Sequence, residues 1–183
     1  MFGRRELALL AGVVGLALGS VVAAVPAYAS TATISCTGWT HATYAPGLTN
    51  TAKSTSVVVD GDLNVIDEHS PTGSCLALGS SASAGERDVT AQLDVGCTQL
   101  IVETGVETIN WNDGQSTSFS FSANVTRGLS NTILLETGTV TSGEFAGDSV
   151  VETFTAPTIA FLGCGTPGGV TALDFVTVIA ITL

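Results

Sequence analysis

Residues 106–125 read VETINWNDGQSTSFSFSANV, two polar–apolar alternations on either side of Asn112-Asp113-Gly114. In the second, Phe119, Phe121, Ala123 and Val125 point one way and Ser118, Ser120, Ser122 and Asn124 the other. A repeat of two with one apolar face describes a strand that covers a core and meets water behind it. Asn-Asp-Gly between the runs supplies the backbone freedom that a tight hairpin needs. The stretch therefore predicts an antiparallel hairpin with Ile109 and Trp111 beside Phe119 and Phe121 on its inner face.

The same alternation recurs upstream. In 88–95, Val89, Ala91, Leu93 and Val95 oppose Asp88, Thr90, Gln92 and Asp94. Further strands are predicted at 31–36, 54–59, 63–66, 100–103, 132–140, 149–155, 158–162 and 172–183. The last is apolar on both faces, as an interior strand is. Asp60-Gly61 joins two β-branched runs and reads as a second tight hairpin. Residues 69–87 read as a long loop tied down by Cys75. Many short strands with Gly and Pro turns predict an all-β, antiparallel β-sandwich, immunoglobulin-like in the broad sense, with a closed antiparallel β-barrel as the alternative. Trp111, Phe119, Phe121, Phe154, Phe161 and Phe175 are the expected core.

The N-terminus reads as an export signal. Arg4 and Arg5 precede an apolar run over 7–25, and Pro26 and Ala27-Tyr28-Ala29 mark cleavage before Ser30. The expected division is a signal peptide over 1–29 and a single β-domain over 30–183, secreted to the extracellular space and free of the membrane after cleavage. The paired Arg leaves the general and twin-arginine routes both open. Four cysteines remain beyond the signal, Cys36, Cys75, Cys97 and Cys164. An even count in an exported chain predicts two disulfides, and three pairings are open. Without Arg4, Arg5 and Glu6 the net charge of −11 becomes −12, from three basic and fifteen acidic side chains. Such a surface has no basic cluster for phosphates, so no nucleic-acid partner is expected.

Candidate chemistry is sparse. Asp60, Asp62 and Asn64 open like a calcium loop. The sixth position is then Val65 rather than Gly, and the twelfth Pro71 rather than Glu, which leaves only a weak calcium site. His41 and His69 are the two histidines, both in loop-like sequence and without a nucleophile-elbow motif. Glu103 and Glu107 flank Gly105, and Glu136, Glu144 and Glu152 fall on later strands, so a carboxylate pair could meet, but nothing marks a sugar cleft. No phosphate-binding glycine motif occurs, and no cofactor or catalytic residue is expected. Trp39 and Tyr44 are the candidates for an exposed aromatic binding patch.

Three sets of phrases carry a resemblance. They are Tyr44-Ala45-Pro46-Gly47-Leu48-Thr49, then Ile109-Asn110-Trp111-Asn112-Asp113-Gly114, then GTVTSGEFAGD over 138–148, with Cys164 before Gly168-Gly169-Val170. Together they resemble an uncharacterised family of small secreted actinobacterial proteins. The resemblance implies compartment and a β-fold, and it carries no active residue. In class alone, the acidity, the two disulfides and the β character resemble the immunoglobulin-like apoproteins of actinomycete chromoproteins. Their short Cys-x4-Cys loop is missing, since Cys75 and Cys97 stand 22 apart. The expected function is a non-enzymatic binding or interaction module for an extracellular ligand or protein. The alternatives are a small-ligand carrier, with an apolar pocket, and a secreted hydrolase, with a cleft where a histidine meets a serine or an acid.

Overall fold

A computed structural model of the chain describes residues 32–64, 73–100 and 104–183. The expected signal peptide over 1–29 and His69 lie outside them. Among the described residues nine antiparallel strands follow one another: β1 (Thr33–Leu48), β2 (Lys53–Leu63), β3 (Ser74–Leu78), β4 (Gly85–Val95), β5 (Thr104–Trp111), β6 (Ser116–Arg127), β7 (Asn131–Gly143), β8 (Ser149–Pro157) and β9 (Val170–Thr182). A 3-10 helix at Thr158–Gly165 connects the last two.

The sheet closes on itself through β1. One edge of this 16-residue strand pairs with β9, from Ile34↔Ile181 to Thr43↔Ala172. Its other edge is shared, first by β3 (Thr33↔Leu78 to Thr37↔Ser74) and then by β2 (Gly38↔Leu63 to Ala45↔Ser56). The circuit β1-β2-β4-β5-β6-β7-β8-β9 returns to β1, an eight-stranded barrel with β3 laid beside its start. The sandwich is thereby corrected to the barrel. Both folds use the same period-two strands, and closure depends on one strand long enough to serve two neighbours on one edge.

The hairpin at Asn112–Gln115 forms as its residues require, with Gly114 at φ 86°. Its inner face joins one core cluster with Ile109, Trp111, Phe119 and Phe121, although the edge-on ring partner of Trp111 is Phe145. The six expected core aromatics are all buried.

Other expectations change. Asp60-Gly61 is no turn: β2 runs straight through it. Residues 158–162 are helical, not extended. The expected loop over 69–87 contains β3 and the start of β4. His41 lies within β1, and 101–103 fall outside the described residues.

The cysteines pair as Cys36–Cys75 and Cys97–Cys164. The first links facing residues of β1 and β3. The second fastens the loop after β4 to the 3-10 helix, at one end of the barrel.

Candidate functional site: a polar belt beside an apolar cavity

The barrel interior holds two apolar clusters. One gathers Tyr44, Leu48, Leu134, Phe154, Phe161 and Phe175 near the Cys97–Cys164 end. The other gathers Ile34, Leu63, Trp111, Phe119, Phe145 and Ile181 at the opposite end. Between them the inward positions turn polar, strand after strand. Thr40 lies between Cys36 and Ala42 on β1, Arg87 between Gly85 and Val89 on β4, and Glu107 before Ile109 on β5. Glu136 follows Leu134 on β7, Glu152 lies between Val150 and Phe154 on β8, and Thr177 lies between Phe175 and Ile179 on β9.

Arg87 is the centre of this belt. It is only 2% exposed, its guanidinium donates to Glu107 and Glu152, and it rests over the Phe154 ring at 5.1 Å. The Arg87 Nη2–Glu152 Oε1 distance is 2.5 Å. Burial acts against its charge, yet the two carboxylates outweigh that and hold it more firmly protonated than usual. Gly61 makes the room: a Cβ there would lie 2.7 Å from Arg87 Nε and 3.1 Å from Thr40 Oγ1. Thr40 and Thr177 bond each other at 2.7 Å.

Glu136 feels the Arg87 charge only at a distance, as a minor opposing influence, and has no hydrogen bond to it. It faces Glu152 directly across β7 and β8 and is 1% exposed, and no group among the described residues donates to either of its oxygens. Burial, then the charges of Glu107 and Glu152, push its carboxyl up to about 9. Burial and like charges side by side both disfavour the ionised form, so Glu136 holds its proton at neutral pH. Glu152 is raised too, first by burial, with Arg87 opposing. One oxygen from each of Glu107, Glu136 and Glu152 falls within a 4.8 Å group.

The belt borders a cavity of about 280 Å³. Its apolar wall includes Ala42, Tyr44, Val57, Leu134, Phe154 and Phe175, and Thr40, Arg87, Glu107 and Glu136 line its polar side. The entrance lies where the barrel is thinnest. Among the described residues, the ladder between β4 and β5 has two pairs, Gly85↔Trp111 and Glu86↔Asn110. Beyond them Val89, Ala91 and Leu93 on one side and Gly105 and Val106 on the other border the cavity, and Val89 is 38% exposed although its side chain points inward.

The residues singled out from sequence are placed differently. Tyr44 points into the cavity, and its burial raises its phenol pKa. Trp39 has the opposite parity on β1, and it is also buried, stacked on His41 at 5.5 Å. Neither ring offers an exposed patch. Instead, Val151, Val176 and Val178 are exposed on the outer face of β8 and β9. Asp60 and Asp62 share the outer face of β2, whereas Asn64 follows at φ 59° and donates its amide to the Ser83 carbonyl at 2.7 Å. His41 Nδ1 lies 2.6 Å from Asp174 Oδ1, its cross-strand neighbour on the outside of the barrel. Glu144 accepts from Ser80 and takes no part in the belt.

The belt was open to sequence reasoning in part. Glu107, Glu136 and Glu152 stand out as strand carboxylates, but Arg87 does not. The missed signal is parity: Arg87 shares the face of Val89, Ala91, Leu93 and Val95. A charge on the apolar side of a regular strand has to be buried or to distort the strand. Compared with protein-family models, with curated proteins and with solved structures, the chain matches none.

Proposed function

We propose that the chain is an exported carrier of a small, largely apolar molecule, held inside the barrel. The cavity between β4 and β5 carries this reading. Eight strands give an interior that side chains just fill or that holds one small ligand, and here about 280 Å³ is left open behind a two-pair seam. That is roughly twice the ~150 Å³ of an apolar cavity that admits benzene. A mostly apolar wall with a few convergent polar groups is the usual make-up of a ligand site. The two disulfides support an oxidising, extracellular setting, in keeping with the export signal read at the N-terminus.

Calorimetry with 3-phenylpropan-1-ol, a neutral amphiphile of suitable size, tests the reading. Saturable one-to-one binding is expected, abolished by Ala42→Phe, which fills the cavity, and weakened by Ala91→Phe at its entrance. Absence of binding to the wild-type protein, or binding unchanged in both folded variants, would overturn it.

A second reading, an interaction module, is supported by the exposed valines of β8 and β9.

A further inference from the structure

We infer that the barrel's ligand is a small hydrophobic amine, its ammonium group set against Glu136 and Glu107 at the belt and its apolar body lying toward Tyr44 and Leu134. The inference rests on the carrier reading and adds the chemical class of the ligand.

Charge in the belt is unbalanced in one direction. Three carboxyl groups face one guanidinium. Two of them already engage the Arg87 Nη atoms, so an anionic ligand would have to displace a buried ion pair to reach those. The remaining donor, Nε, has no acceptor among the described residues but packs against Gly61, where a Cβ would lie 2.7 Å away. Glu136 is the group left over. It lines the cavity, it is 1% exposed, and both of its oxygens lack a donor among the described residues. A buried carboxyl without a partner is costly, and a ligand donor placed there removes that cost.

The donor's chemistry follows from the walls. A hard divalent ion takes six to eight oxygen ligands. The belt supplies three carboxylates, two of them held by Arg87, and the surroundings are apolar and aromatic. Aromatic faces tolerate an organic cation, as Phe154 already does for Arg87. An ammonium on a hydrocarbon body matches both parts of the site: its N–H groups donate to carboxylate oxygens, and the rest fills the apolar volume.

Binding then carries a proton signature. The groups facing Glu136 across the interior are Thr40 on β1, Arg87 on β4, Glu107 on β5, Glu152 on β8 and Thr177 on β9. Arg87 stays charged throughout, and the two threonines do not titrate. Without a cation beside it Glu136 is protonated at neutral pH. An ammonium favours its ionised form. The free ligand is already the ammonium ion at pH 7, so ammonium plus neutral carboxyl becomes an ammonium–carboxylate pair and the carboxyl proton leaves to buffer.

The test compares 3-phenylpropylamine, 3-phenylpropan-1-ol and 3-phenylpropanoate on the full chain with its disulfides formed. Calorimetry at pH 7 is run in two buffers of different ionisation heat. The amine is expected to bind about ten-fold or more tighter than the alcohol, the carboxylate weakest, with close to one proton released per amine. In Glu136→Gln the amine should bind no tighter than the alcohol does to the same variant, and the proton release should disappear. Equal affinities, a tighter carboxylate, or an amine advantage that survives in Glu136→Gln would overturn the inference and leave the carrier reading standing on the alcohol. If none of the three binds, the carrier reading falls as well. Calcium or zinc chloride binding that is lost in Glu136→Gln, with no amine preference, would assign the belt to a metal and also overturn the inference.

Discussion

Glu136 is the residue on which the interior chemistry turns. Its carboxyl titrates near 9 in the fold against an ordinary value of 4.5. Below pH 4.5 folded and unfolded chains are both protonated there. Between 4.5 and 9 the unfolded chain releases the proton while the folded chain keeps it, so stability falls as pH rises through that window. One proton corresponds to a slope of up to ~1.4 kcal/mol per pH unit. Denaturant unfolding of wild type and Glu136→Gln at pH 5 and pH 8 measures this. The substituted protein is expected to gain relative to wild type as pH increases, and a constant difference would contradict it.

The legibility of the site is also a matter of single residues. Glu107, Glu136 and Glu152 are visible in the sequence as strand carboxylates, and nothing local says that their strands meet. That follows only from closure, which places β7 and β8 side by side with Glu136 opposite Glu152. Trp39 was misleading for the converse reason: an aromatic in polar sequence reads as surface, whereas here it packs on His41 outside the barrel wall.

At the scale of elements, β1 and β2 explain most of what the sequence hid. Regular alternation made β4 and β6 legible, since each has one wet face. β1 carries Gly38, two aromatics and Pro46 within 16 residues, which masks its period. Its length is nonetheless what closes the barrel. In β2, Asp60-Gly61 imitates a hairpin because Asp-Gly is one of the pairs that tight hairpin turns favour. Here the glycine sits opposite Arg87, with no space for a side chain. Gly61→Val should therefore push Arg87 off Glu107 and Glu152 and strand buried charges. The expected loss is ~3–5 kcal/mol by chemical denaturation, the range for breaking a buried ion pair. A loss under 1 kcal/mol would mean that Arg87 has another place to go and that Gly61 is not its socket.

The short β4–β5 ladder belongs to the same scale. An incomplete seam would invite edge pairing with another chain, and the outward side chains there include Asp88 and Asp94, charges that discourage it. The seam can stay open to a ligand without becoming an aggregation site.

For the whole molecule, the central claim is that the inside of the barrel, not its exposed valine face, receives the ligand. The two surfaces are distinguishable atom by atom. Val57, Val89, Leu93 and Leu134 line the cavity, whereas Val151, Val176 and Val178 point outward. Methyl-resolved NMR during titration with 3-phenylpropylamine tests the claim most directly. The account predicts saturable shifts at the methyls of Val57, Val89, Leu93 and Leu134, with Val151, Val176 and Val178 unmoved. Shifts confined to the outer valines, with the cavity methyls unchanged at saturation, would contradict it.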